Sequence, residues 1–257
     1  MIPALRLAGV RFAYPDGQVA LDGVDLEVAA GERVAVLGPN GAGKSTLVLH
    51  LNGILTPQAG TVEVGGAPVE RATLAEVRRR VALVFQDPDD QLFMPTVADD
   101  VAFGPAHAGL RGPELEARVA AALEAVGLPG LGARAPHHLS LGQRRRAAVA
   151  TVLALRPELL VLDEPTANLD PAARRELAEV LTALDLTTVV VTHDLPYALQ
   201  LCPPGRAPRR RAGGGRRAHG RPVGRRGAAA GPPPGAPLRL RAPRARAGPR
   251  VTDASLR

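Results

Sequence analysis

Nine residues, Gly38-Pro39-Asn40-Gly41-Ala42-Gly43-Lys44-Ser45-Thr46, constrain this chain more than any other stretch. They follow an apolar run, Val34-Ala35-Val36-Leu37, and open onto Leu47-Val48-Leu49-His50-Leu51. A strand that turns through glycines into a helix, at the spacing G-x-x-x-x-G-K-S, makes a phosphate-binding loop. Glycine admits backbone angles closed to other residues, so successive N–H groups converge on one anion. The start of the helix adds the positive end of its dipole. At this spacing Lys44 reaches the β- and γ-phosphates of a nucleotide, and the Ser45 hydroxyl reaches Mg²⁺. Strand, spacing and helix agree, which disfavours a glycine turn without a ligand.

The rest of the chain alternates strands with helices. Residues 5–14 read as a strand in which Leu5 and Leu7 alternate, followed by Val10 and Phe12 after an Ala8-Gly9 bulge. Tyr14 at its end suits either a base to stack on or a half-buried core position; the pattern does not separate the two. Tyr14-Pro15-Asp16-Gly17 is a turn, and Val24, Leu26 and Val28 alternate again. Further strands are expected at 62–64, 81–85, 159–162 and 187–192, and helices at 73–80, 113–126, from about 140 to 155, and at 171–184. Pro113 and Pro171 stand at first helical turns, and Asp170 is placed to cap the last of these helices. Within the helix from 140, Arg144-Arg145-Arg146 reads as a solvated face. Continuous apolar strands between helices indicate a parallel sheet covered on both faces. In such sheets the chemistry lies at the carboxyl ends of the strands. Gly38, Gln86, Asp163, Glu164 and His193 all fall there.

Charge divides the chain in two. Residues 203–257 hold fifteen Arg and one acid, a net of +14, leaving 17 basic and 24 acidic residues before them. The overall net charge of +7 therefore belongs to the tail and says nothing about nucleic-acid binding by the body. Of these 55 residues, 46 are Arg, Gly, Pro or Ala, too little apolar content to offset the entropy of ordering, so disorder is expected. Those four residues are encoded by codons built from G and C, and Lys44 is the only lysine against 31 arginines. The composition favours a shift of reading frame near the Pro203 codon over a genuine polybasic tail for lipid or nucleic acid. A single cysteine, Cys202, excludes an internal disulfide. With neither a signal peptide nor an apolar run of ~20 residues, the chain is expected to be soluble and cytoplasmic.

Assembled, these residues resemble the ATP-binding cassette (ABC) ATPases over roughly residues 3–202. Leu139-Ser140-Leu141-Gly142-Gln143 is similar to the family signature L-S-G-G-Q and lies just ahead of the Asp163-Glu164 strand. Phe85-Gln86-Asp87-Pro88-Asp89-Asp90-Gln91-Leu92-Phe93, Asp99-Asp100-Val101-Ala102-Phe103-Gly104-Pro105 and Leu51-Asn52-Gly53-Ile54-Leu55 look like the cobalt/nickel and energy-coupling-factor branch. The resemblance implies a mostly parallel α/β core, an N-terminal antiparallel β subdomain and a helical signature subdomain at about 87–157. It implies ATP and Mg²⁺ as ligands, with Asp163 holding the metal, Glu164 activating water, Gln86 sensing metal and γ-phosphate, and His193 contacting the γ-phosphate. Tyr14 falls where the family stacks adenine. Ser140, Gly142 and Gln143 are implied to act on the ATP of a second cassette, and Asp170 closes the loop that crosses between them. Leu141 departs from the usual glycine, an effect expected on packing only. The implied partners are a second ABC ATPase subunit and a separate integral membrane subunit, with no nucleic acid, at the cytoplasmic face of the membrane. Two rival readings stay open: a soluble ABC protein acting on ribosomes or DNA, and a truncated, inactive cassette. The former usually shows two cassettes or a coiled-coil insertion, whereas one phosphate loop and one signature occur here.

Overall fold

The computed structural model describes residues 2–203 and the backbone of residues 251–253. Two sheets are built. Strands β1 (Leu5–Ala13), β2 (Val19–Val28), β4 (Ala59–Val64) and β5 (Ala67–Pro68) form an antiparallel sheet in the order β2-β1-β4-β5. The expected bulge is present: the β1–β2 register shifts between Leu7 and Val10, and Gly9, with φ 60°, donates its N–H to Asp25 Oδ1 at 2.7 Å.

Strands β3 (Arg33–Leu37), β6 (Val81–Val84), β7 (Leu159–Asp163) and β8 (Thr187–Thr192) form the parallel sheet, in the order β6-β7-β8-β3. Because successive strand residues point to opposite faces, one sheet feeds two cores. Val34, Val36, Leu159, Val161, Val189 and Val191 face the antiparallel sheet and helix α1 (Lys44–Leu51). Ala35, Leu160, Leu162 and Val190 face the helices on the other side. The apolar runs are continuous because both faces are buried, as read from the sequence.

Helices α2 (Leu74–Arg80), α4 (Gly112–Ala125), α5 (Leu141–Leu153) and α6 (Pro171–Ala183) lie close to the expected spans. Segment 87–157 carries α4, α5, a 3-10 turn at Pro88–Asp90 and a helix the periodicity did not reveal, α3 (Val97–His107). Thr96 caps α3, accepting from Asp99 N at 3.2 Å and donating to Asp99 Oδ2 at 2.6 Å. Asp100 holds the preceding turn through Phe93 N and Met94 N, both at 3.0 Å. Pro105 is tolerated in the last turn of α3. A short helix α7 (Leu195–Leu201), capped by Asp194, was also absent from the sequence reading.

The expected disorder of residues 203–257 lies outside the described residues, with two exceptions. Pro203 ends the body, and Val251–Asp253 forms strand β9, parallel to β3 with Leu37 opposite Asp253. The far edge of β3 leaves backbone groups that these three residues pair with. Among the described residues no helix is long and apolar enough to cross a membrane.

Candidate active site

The phosphate loop owes its shape to two glycines in the left-handed region, Gly41 (φ 79°) and Gly43 (φ 84°). A Cβ on Gly43 would stand 2.2 Å from the Ala20 carbonyl oxygen, so β2 closes the loop from behind and only glycine fits. Helix α1 starts at the next residue. Lys44, 6% exposed, donates from Nζ to the carbonyls of Gly38 (2.9 Å) and Pro39 (3.0 Å). Asn40, Ser45 and Thr46 line the same cavity, while Ala42 is buried beneath it.

Opposite the loop, β7 ends in two buried carboxylates. Burial pushes the Asp163 carboxyl above its ordinary range, and the Glu164 charge adds to this; the Ser45 hydroxyl and the Lys44 ammonium oppose it. Glu164 adopts φ 43°, a conformation costly for a side chain of its kind, and its N–H donates to Val191 O at 2.8 Å. Its Oε2 accepts from the Thr192 hydroxyl at 3.0 Å and from the His193 N–H at 3.3 Å, and lies 3.0 Å from His193 Nδ1. Its Oε1 lies 3.3 Å from Lys44 Nζ, an ion pair rather than a well-formed hydrogen bond. The carboxylate is thus fixed in position by the strand next to it and by the phosphate-loop lysine.

Tyr14 completes the cavity at the end of β1. Its hydroxyl is 2.9 Å from Thr46 Oγ1, and its ring meets the Phe12 ring edge-on at 5.2 Å. Tyr14, Gln18, the phosphate loop, Gln86, Glu164 and His193 together enclose about 360 Å³. The ends of β1, β3, β6, β7 and β8 therefore converge on one space.

That space suits a metal-bound polyphosphate. Asp163 Oδ1 is buried without a hydrogen-bond partner, the Ser45 hydroxyl is beside the same carboxylate, and Gln86 lies on the rim. Hydroxyl, carboxylate and amide oxygens are the hard donors that Mg²⁺ takes when phosphate supplies the remainder. The residues present fit the ion.

Ser140, Gly142, Gln143 and Asp170 do not join this cavity. Ser140 caps α5: its Oγ accepts from Gln143 N at 3.2 Å, and Gln143 Oε1 accepts from Ser140 N at 3.0 Å. Gly142 allows α5 to approach α6, since a Cβ there would be 2.7 Å from Ala173 Cβ. Leu141 packs against the helical core. Asp170 caps α6 through Ala172 N (2.8 Å) and Ala173 N (2.9 Å), bonds that hold its carboxyl below the usual range. The signature stretch is thus held by its own capping box and lines no part of the cavity at the chain's own phosphate loop.

The arginine triplet is not a solvated face. Arg145 is 2% exposed and donates to the carbonyls of Phe85, Gln86 and Ala167, the last at 3.1 Å. Arg146 pairs with Glu176 at 2.9 Å and Arg144 with Asp89 at 3.4 Å. Gln91 adds a second tie, accepting from Phe85 N and donating to Ala148 O and Thr151 Oγ1 on α5. Sequence reasoning missed Arg145 and Gln91. All but one of their partners, the Thr151 hydroxyl, are main-chain carbonyls and an N–H, which carry no residue-type signal.

The parallel sheet, the glycine loop and the carboxylate pair facing it define a P-loop ATPase domain. The chain belongs to the ABC transporter family, whose model matches residues 21–167. A Streptomyces avermitilis protein described as an ABC transporter ATP-binding protein is 69% identical over 201 residues, covering 78% of this chain and 77% of the relative. The energy-coupling factor transporter ATP-binding protein EcfA of Carboxydothermus hydrogenoformans is 49% identical over 200 residues, covering 77% and 74%. Among solved structures, CbiO1 of Clostridium perfringens, part of the ABC transporter complex CbiONQ, superposes with a TM-score of 0.72 at 38% identity, covering 79% of this chain and 84% of that one. The ATP-binding cassette MJ0796, solved as a dimer bound to ADP and Pi, gives 0.69 at 29% identity, covering 76% and 90%. Within the family the chain falls in the energy-coupling-factor and CbiO-like branch, as an ATPase subunit of a transporter.

Proposed function

We propose that this chain hydrolyses ATP to drive a membrane importer for cobalt, nickel or a vitamin, with separate membrane subunits forming the pathway. It would sit as a peripheral subunit on the cytoplasmic face. One observation carries the ATPase part: Glu164 is buried, held by Thr192 and His193, and paired with Lys44 across the cavity from Ser45. A carboxylate so oriented can accept a proton from water attacking a γ-phosphate that Lys44 and the loop N–H groups hold.

The roles follow from position. The Tyr14 ring offers its face to the base. Lys44 exchanges its Gly38 and Pro39 carbonyls for phosphate oxygens. Ser45 and Asp163 would hold Mg²⁺, which neutralises charge on the β- and γ-phosphates when bound. His193, with a side chain 57% exposed and tied to Glu164, can meet the transferred group through its other ring nitrogen. Gln86 reports occupancy to the loop after β6, where the membrane subunit would dock. The rigid Ser140, Gly142 and Gln143 turn, out of reach of this cavity, supports a head-to-tail dimer in which it closes on the partner's ATP.

Transport is the discriminating test. The chain, co-expressed with the membrane subunits that co-purify with it, should raise cellular uptake of labelled cobalt, nickel or a vitamin, and Lys44→Ala should abolish the increase. Co-purification with ribosomes or DNA and no membrane partner would overturn the importer reading.

A further inference from the structure

The base platform is held from outside the cavity. Strand β4 pairs with β1 as far as Ala59 opposite Arg11, and the Gln58 N–H extends this by donating to Arg11 O at 2.9 Å. There the main chain of β4 departs, but the ladder does not end. The Gln58 side chain accepts from Ala13 N at 2.9 Å and donates to Ala13 O at 2.8 Å. A carboxamide has the donor and acceptor of a peptide group, so it acts as one more rung and binds both polar atoms of the residue before Tyr14.

Tyr14 itself is fixed in three further ways. Its N–H donates to Gln18 O and its carbonyl accepts from Gly17 N, each at 2.9 Å. Its hydroxyl meets Thr46 Oγ1 at 2.9 Å. Its ring abuts Phe12, which abuts buried His50 at 4.9 Å. Residues 15–18 of the turn are exposed. The Gln58 side chain ties the root of this turn to the segment that leads into β4.

We infer that Gln58 is a positioning residue for base recognition: its side-chain amide clamps Ala13 so that the Tyr14 ring stands at stacking distance over the phosphate loop. The inference rests on the reading of Tyr14 as the base platform. Gln58 does not line the cavity and its side chain bonds Ala13, the residue before Tyr14, so its effect on nucleotide is carried through Tyr14. It should therefore act on ligands that have a base and leave those without one alone. Gln58 is exposed, so its replacement does not open the core.

Titration calorimetry on the full chain with Mg²⁺ tests this, with ATP and inorganic tripolyphosphate as the two probes. Gln58→Ala should weaken ATP about three- to tenfold, the scale of losing a pair of neutral hydrogen bonds. Tripolyphosphate should change by less than about twofold, within the scatter of distant sites. Gln58→Glu, which keeps the acceptor for Ala13 N but turns a second oxygen on Ala13 O, should weaken ATP as Gln58→Ala does. Tyr14→Ala should weaken ATP roughly tenfold or more, the scale of one base stacked on an aromatic ring, and adding Gln58→Ala to it should cost nothing further. If Tyr14→Ala weakens ATP while Gln58→Ala leaves it unchanged, the clamp is refuted and the platform stands. Equal loss of ATP and tripolyphosphate in Gln58→Ala means a general structural role and also refutes it. A Tyr14→Ala variant with unchanged ATP affinity removes the platform itself, and the clamp with it.

Discussion

Lys44 and Glu164 form a buried pair whose disruption has a cost that can be divided. Their side chains are 6% and 7% exposed, with Nζ 3.3 Å from Oε1. Lys44→Ala leaves the Glu164 charge buried with only the Thr192 and His193 donors, and breaking such a pair costs roughly 3 kcal/mol or more. At ~2–4 °C per kcal/mol for a domain of this size, the thermal midpoint should fall by about 6–12 °C. Part of that loss comes from the Gly38 and Pro39 carbonyls that Nζ also serves. The rest comes from the stranded carboxylate, and Glu164→Gln removes it by replacing a charge with a neutral amide. The double variant should therefore recover several degrees over Lys44→Ala alone, a coupling of ~1–3 kcal/mol. The assay is scanning calorimetry without nucleotide and with chelator, on wild type, both single variants and the double. Single losses that add to within ~0.5 kcal/mol would show that the pair is not energetically coupled, and the reasoning from burial would fail.

Four further outcomes are expected. Asp163→Asn should raise the thermal midpoint of the ligand-free chain at pH 7: burial raises the Asp163 pKa in the folded state, so its stabilising contribution is present below the unfolded carboxyl pKa and lost as pH rises through the folded one. In the same variant Mg²⁺ should no longer strengthen ATP binding in a titration. Ser140→Arg should block hydrolysis while leaving ATP affinity within about twofold, the scale of an independent site. Mixing Ser140→Arg with Lys44→Ala should restore phosphate release above either parent, because one complete site forms per heterodimer.

The sequence was most legible where local chemistry and burial coincide. The turn at Gly41 and Gly43, the Gly9 bulge, the Asp170 cap and the buried β7 and β8 runs each follow from residue type and period. Strand ends carried the site for the same reason, since an apolar run that stops at Asp163 or His193 must present that side chain at the sheet edge. Other features had no such mark. Helix α3 is broken in pattern by Gly104 and Pro105, and its start depends on a Thr96–Asp99 box and an Asp100 turn that only geometry reveals. The arginine triplet resembles a solvated face because buried arginines are rare. Arg145 is buried because the carbonyls of Phe85, Gln86 and Ala167 converge on it, and convergence of backbone groups is tertiary information. Gln58 escaped for a like reason: its partner is the main chain of Ala13, forty-five positions away.

Hydrolysis in this cavity depends on Glu164 activating the attacking water. Phosphate release by Glu164→Gln under saturating Mg²⁺ and ATP, measured beside ATP affinity, tests it most directly. Turnover should fall by about 10²–10⁴-fold, the contribution of a positioned general base. ATP binding should be retained, because Lys44 and the loop N–H groups are intact, and the unhydrolysed nucleotide should hold the chain as a closed dimer in sedimentation. Turnover within a few-fold of wild type would remove Glu164 from the general-base role.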